Sequence, residues 1–137
     1  MAGSLSNYGE DKLLDHVLSI TSLTMPANIY AALTTVTITD SMTGATITEA
    51  TYTGYARKEI LASDLNASSG GVVTNSADIV FAACSGSTST VIGVAICDSV
   101  TTGAGNMLMY SDVTSHVVDS SNTPATIPAG SLSITLT

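Results

Sequence analysis

The chain has 137 residues, a length that allows one domain. Hydrophobic residues make up 45% of it and charged residues 10%, which excludes an acidic disordered protein, because such proteins are poor in hydrophobic residues. Acidic residues outnumber Lys and Arg by 11 to 3, so the formal net charge is −8, and both nucleic acid and an anionic membrane surface would repel the chain.

The first predicted element is a helix from Ser6 to about Ile20. Its apolar residues recur at the spacing that places side chains on one helix face, and they are Leu13, Leu14, Val17 and Leu18. Met25-Pro26 ends the segment, because a residue before proline favours an extended backbone. We therefore expect residues 1–25 to form a helical segment that packs on the domain as a lid or docks onto a neighbour. The lid is favoured, because an exposed apolar stripe promotes aggregation.

Residues 26–137 have the pattern of a β domain. Strand-like stretches alternate with turn residues, and the predicted strands are 28–33, 45–53, 55–62, 72–74, 79–82, 90–97, 107–113 and 131–137. Val91 to Cys97 is unbroken apolar sequence, so the strand that contains it should be the most buried. The fold class is therefore mainly β, a single β-sandwich or jelly-roll-like domain with one N-terminal α-helix.

The residues that could carry chemistry are few and scattered. His116 lies near Ser115 and Asp119, but hydroxyl residues are so common in this chain that chance explains the proximity, and no nucleophile motif accompanies it. Cys84 and Cys97 lack a zinc-binding spacing and should be buried, reduced thiols. The carboxylates follow no calcium-loop or metalloprotease pattern. We therefore expect no enzyme activity, no metal and no cofactor.

One basic pair, Arg57-Lys58, stands out in so acidic a chain. Two of the three cations lie side by side, which favours an ion-pair contact, within the fold or with a partner, over an anion-binding site. Tyr55 and the helix stripe complete the candidate contact residues. No apolar run approaches the roughly 20 residues that a membrane-spanning helix needs, so we expect no membrane segment.

Several stretches, taken in order, resemble a family of small virion structural proteins of tailed bacteriophages, variously described as decoration or tail-fibre proteins. They are KLLDHVL at 12–18, PANIYAAL at 26–33, GYAR at 54–57, GGVVTNSADI at 70–79, GVAICD at 93–98, GNMLMY at 105–110 and IPAGSLSITL at 127–136. Where the family usually has aromatic residues in or before the strand at Gly93 and after it, this chain has 88–92 and Cys97.

The resemblance implies a structural part of a phage particle, assembled in the cytoplasm of the bacterial host and located in the virion. Our first hypothesis is a capsid decoration (cement) protein that binds the major capsid protein on the outer shell and forms a homo-oligomer there. The alternative is a tail or tail-fibre-associated structural protein bound to tail proteins. A carbohydrate-binding module that recognises the host surface comes next, although such modules usually offer exposed aromatic platforms.

Overall fold

Antiparallel strands and one helix make up the regular structure of residues 3–136, the part of the chain that this computed structural model describes. In chain order the elements are β1 (Ser4–Leu5), α1 (Asn7–Val17), β2 (Ile29–Thr34), β3 (Lys58–Ile60), β4 (Val72–Thr74), β5 (Ile79–Val80), β6 (Ser89–Cys97), β7 (Met107–Val118), β8 (Thr126–Ile127) and β9 (Ser133–Thr135), with a single 3-10 turn at Ala62–Asp64. The mainly-β class with one helix near the N-terminus is confirmed.

The main sheet has five antiparallel strands in the order β1-β7-β6-β2-β3. At its centre β6 pairs with β2, where Ala95 lies opposite Ala32, and with β7, where Ala95 lies opposite Tyr110. Val94 to Cys97 are all buried, because both faces of this strand are covered. The prediction that the apolar run around Val91 to Cys97 forms the most deeply buried strand agrees with this position.

Two short ladders, β4 with β9 and β5 with β8, form a second layer on one face of the main sheet. Leu33, Val94 and Ile96 of the main sheet share a hydrophobic cluster with Ile79 of β5 and Leu132 beside β9. The opposite face is covered by the segment after β2, as the second cluster has Ala32, Ala95, Cys97 and Met107 packed against Ile38 and Ile47. Of the two architectures expected, the layered arrangement fits the sandwich better than a jelly roll.

The predicted strands 45–53 and 55–62 are largely wrong. Only Lys58–Ile60 forms a ladder, along Ile29 to Ala31 of β2. The earlier stretch meets the same edge of β2 further on, through the isolated bridge between Thr34 and Glu49. A turn separates the two pieces, and it contains Gly54 at φ +100°. This edge of β2 is thus completed by two short pieces of chain.

Two strands were missed altogether, β1 and β8, each of two residues. Ser4 and Leu5 pair with Tyr110 and Met109, so residues before position 26 contribute a strand to the main sheet. Stretches this short carry no periodicity from which sequence analysis could identify them. The predicted strand 131–137 appears as β9, which pairs with β4 from Thr74–Ser133 to Val72–Thr135.

The helix is held to the sheet by its first turn. Ser6 is buried and caps it, since its hydroxyl accepts from the Gly9 N–H at 3.1 Å and donates to the Met107 carbonyl oxygen. The Ser6 N–H donates to the Leu108 carbonyl oxygen at 3.0 Å. A side chain at Gly9 would collide with that same carbonyl oxygen of Leu108. The first turn therefore lies directly on β7.

The favoured lid interpretation of the helix is wrong. Leu13 is half-buried, but Leu14, Val17 and Leu18 are 57%, 68% and 64% exposed. The anchoring contacts of Ser6 and Gly9 bring the N-terminal half of the helix to the sheet, and no element within residues 3–136 covers its C-terminal half. The helix is thus amphipathic, as its residue spacing predicts, but most of its apolar stripe faces outward.

Candidate functional site

A buried arginine forms the most extensive polar site within residues 3–136. The Arg57 side chain is completely buried and its guanidinium makes hydrogen bonds on every side. Nη1 donates to the carbonyl oxygens of Ser99 at 2.7 Å and Ala104 at 2.9 Å, and Nη2 donates to that of Gly44 at 2.7 Å. The same guanidinium forms a salt bridge with Glu49, with Nη2 and Oε1 2.8 Å apart.

The Glu49 carboxylate is equally well satisfied. Its Oε2 accepts from the Tyr55 hydroxyl at 2.6 Å, and its Oε1 accepts from the Gly103 N–H at 3.0 Å. The Tyr55 oxygen in turn accepts from the Leu33 N–H of β2 at 3.1 Å. We call Glu49, Tyr55 and Arg57 the arginine network. It joins β2, the segment at 44–57 and the 98–106 connection between β6 and β7.

The electrostatics of the arginine network keep each side chain in the protonation state that its hydrogen bonds require. Burial alone would raise the pKa of Glu49, but hydrogen bonds from Arg57, Tyr55 and Gly103 outweigh burial and hold that pKa below its ordinary value. Burial and the hydrogen bond to Glu49 raise the pKa of Tyr55, so the phenol remains a donor at neutral pH. The network is therefore a stable ion pair with one phenol donor.

Sequence analysis predicted an ion pair for Arg57-Lys58, within the fold or with a partner. The structure resolves this for Arg57, whose partner Glu49 lies in the same chain, whereas Lys58 is exposed at the edge strand β3. Tyr55, a candidate contact residue, packs inward, edge to face with Tyr52 at a centroid separation of 5.4 Å. Glu49 itself was missed, because no local pattern distinguishes it from the other carboxylates.

The residues considered for catalysis are not brought together into a site. His116 is exposed on β7, and Asp119 accepts hydrogen bonds from its neighbours Ser121 and Asn122. His16 accepts the Leu23 N–H at its Nδ1, 3.2 Å away. Among residues 3–136, no three His, Cys, Asp or Glu side chains lie close enough together to hold a metal ion. Both cysteines are free and buried, as predicted.

Two of the grooves that open between the main sheet and the second layer have large volumes. The larger, about 640 Å³, lies beside Val91, Val113 and His116, and the smaller, about 370 Å³, lies between Ile60, Ile96 and Ile134. Both are lined chiefly by aliphatic side chains, and neither gathers a set of converging charged groups. Within the described part of the chain, no helix is long and apolar enough to cross a membrane.

These observations define the class of the protein. It is an acidic antiparallel β protein, and its most extensive polar site holds the backbone of two loops in place. The model of a phage protein family described as "Podophage GP4 fiber I protein gp80" matches residues 4–135. The match covers nearly the whole chain, so the protein belongs to this family and is a structural protein of a phage particle. The resemblance to tailed-phage virion proteins is thus confirmed. A comparison with curated proteins gives no significant match.

Proposed function

We propose that the protein is a structural component of the phage tail fibre, where it binds neighbouring tail proteins. The observation that carries this proposal is the family match over residues 4–135, whose description is that of a fibre protein. It supports the tail-fibre alternative over our first hypothesis of a capsid decoration protein bound to the major capsid protein. Association with other virion proteins follows from either role.

The arginine network supports a mechanical role. Arg57 binds three backbone carbonyl groups at once, those of Gly44, Ser99 and Ala104, and so holds two loops in one conformation. A domain that transmits force between neighbours or offers them fixed surfaces needs such rigid connections. No reaction is required of it. We accordingly propose that the chain acts by binding alone, without catalysis, metal or cofactor.

A sugar-binding role has less support. Recognition of glycans commonly uses the exposed flat face of an aromatic ring. Here Phe81 and Tyr52 are buried, Tyr55 belongs to the arginine network, and the other tyrosines are half-buried. The chain has no tryptophan. We therefore do not propose the carbohydrate-binding alternative for this domain.

Localisation on the particle tests the proposal. Purified phage would be labelled with gold-conjugated antibodies against this protein and imaged by electron microscopy. We expect label on the tail fibres, and label over the head shell would refute the proposal in favour of decoration. The absence of catalysis has its own test, because His116→Ala should leave the number of infectious particles unchanged. A loss of infectivity in a variant that still folds and enters the particle would contradict it.

A further inference from the structure

The C-terminal half of α1 carries a cluster of exposed apolar side chains. Ten large hydrophobic side chains are exposed among residues 3–136, and five of them lie between positions 14 and 25: Leu14, Val17, Leu18, Ile20 and Met25. Leu14 and Leu18 are one helical turn apart, and Val17 likewise lies one turn from Leu14 on the helix surface. We call Leu14, Val17 and Leu18 the apolar helix face. Contiguous exposed apolar surface on a protein that folds alone is typical of an interaction site.

Charge accompanies this surface. Glu10 and Asp11 precede Leu14 by four and three residues, which places them on the same side of the helix, one turn nearer its N-terminus. Both are exposed, and neither has a resolved salt bridge in the described residues. The only cation of the helix, Lys12, lies on another side, with its Nζ 5.7 Å from the centre of the Tyr8 ring. The outward surface is therefore acidic at one end and apolar at the other.

A second copy of this chain fits that surface poorly. Parallel pairing of two such helices would bring the carboxylates of Glu10 and Asp11 together, and like charges repel. Antiparallel pairing would place them against the apolar side chains of the other copy, which offers no cation there. At a formal net charge of −8 each, two copies would also repel one another at longer range.

We propose that α1 docks its apolar helix face into an apolar groove of another virion protein, with Lys or Arg of that partner at the end of the groove that receives Glu10 and Asp11. Amphipathic helices commonly bind grooves in this manner, with anchors spaced i, i+3 and i+4. The anchored first turn, with Ser6 bound to β7, presents the helix without further ordering. This inference rests on the proposed structural role in the particle and assigns the surface that performs it.

Competition during infection tests the apolar anchors. Variants are expressed from a plasmid in infected cells, and mass spectrometry of purified particles gives the ratio of variant to phage-encoded chain. The double variant Leu14→Gln/Leu18→Gln keeps helix propensity and should enter particles at least about tenfold less than the control Leu61→Gln. Leu61 is also exposed but lies away from the helix, between β3 and the 3-10 turn. Equal incorporation of the double variant and the control would overturn the proposal.

Charge reversal tests the nature of the partner. Glu10→Lys/Asp11→Lys should reduce incorporation several-fold relative to Glu59→Lys, a reversal on β3. An unchanged ratio would overturn the basic character assigned to the groove. Sedimentation of the purified protein should give the same oligomeric state for the wild type and the Leu14→Gln/Leu18→Gln variant. A wild-type oligomer that this variant converts to a monomer would make a second copy the occupant and also overturn the proposal.

The two proposals fail separately. Gold label on the head shell would refute the tail-fibre role but leave a loss of incorporation in the helix variant intact. Normal incorporation of the helix variant into labelled fibres would refute the docking surface alone. Thermal unfolding of each variant provides the folding control, and because the substituted side chains of the helix are exposed we expect the helix variants to melt close to the wild type.

Discussion

Replacing Arg57 by methionine should destabilise the protein more than any other single loss of charge. The substitution keeps an unbranched apolar chain but leaves Glu49, whose side chain is 3% exposed, without its cation. It also removes the donors to the carbonyl oxygens of Gly44, Ser99 and Ala104. Removing one member of a buried ion pair costs about 3–5 kcal/mol. For a domain of this size, that corresponds to a fall in melting temperature of about 10–15 °C.

Urea unfolding followed by circular dichroism would measure the change in the free energy of unfolding. Lys58→Met is the matched control, because Lys58 is adjacent in sequence and exposed, and it should change the free energy by less than about 0.5 kcal/mol. In the double variant Glu49→Gln/Arg57→Met neither charge remains. Its loss in the free energy of unfolding should therefore be smaller than the sum of the losses in Glu49→Gln and Arg57→Met. A loss below about 1 kcal/mol for Arg57→Met would refute the assignment of a buried, fully bonded guanidinium.

Three further predictions concern the same core. Because the pKa of Glu49 is lowered in the folded state, the ionised carboxylate stabilises the fold above its ordinary pKa of 4.5, and this stabilisation is lost as the pH falls below that value. The wild type should therefore lose more free energy of unfolding on acidification than Glu49→Gln does. Equal losses in urea titrations would contradict this. Gly93→Ala should destabilise the fold by about 1–3 kcal/mol, because its Cβ would lie 2.5 Å from Thr34 Oγ1 and 3.0 Å from Ile38 Cδ1. Gly86→Ala, whose Cβ would have only Thr53 nearby, is the control. Similar melting temperatures for the two variants would contradict the prediction. Burial raises the pKa of Cys97 to about 11, so Cys97 should resist alkylation by iodoacetamide at pH 8 in the folded protein but not in the unfolded protein. Rapid labelling of Cys97 in the folded protein, mapped by mass spectrometry, would contradict this.

The sequence predicts the strands that have strong patterns and misses those defined by long-range pairing. β4 is found with its observed bounds at Val72–Thr74, and β6 is found because its apolar run requires burial on both faces. β1 forms only because β7, about a hundred residues later, offers a free edge at Met109 and Tyr110. β7 itself extends to Val118, past the predicted end at 113, although its later residues are mostly polar and exposed.

The candidate site divides in the same manner. The abundance of acid made an ion pair for Arg57 predictable, but the partner Glu49 and the carbonyl groups of the 98–106 connection come together only in the folded chain. The amphipathic spacing of Leu14, Val17 and Leu18 was visible in the sequence. Their direction was not, because it depends on Ser6 and Gly9 placing the first helical turn against Leu108.

The manner in which Arg57 holds the 98–106 connection has an evolutionary consequence. Its hydrogen bonds go to main-chain carbonyl oxygens of Ser99 and Ala104, and a carbonyl oxygen is common to every amino acid. The exposed side chains at 100–102, including Val100 at 59% exposed, are therefore not needed to hold the connection, whereas Gly103 has a φ of +72° that favours glycine. We therefore expect substitutions at 100–102 to leave the course of this connection unchanged. The connection would then keep its shape while the chemistry of its exposed surface varies.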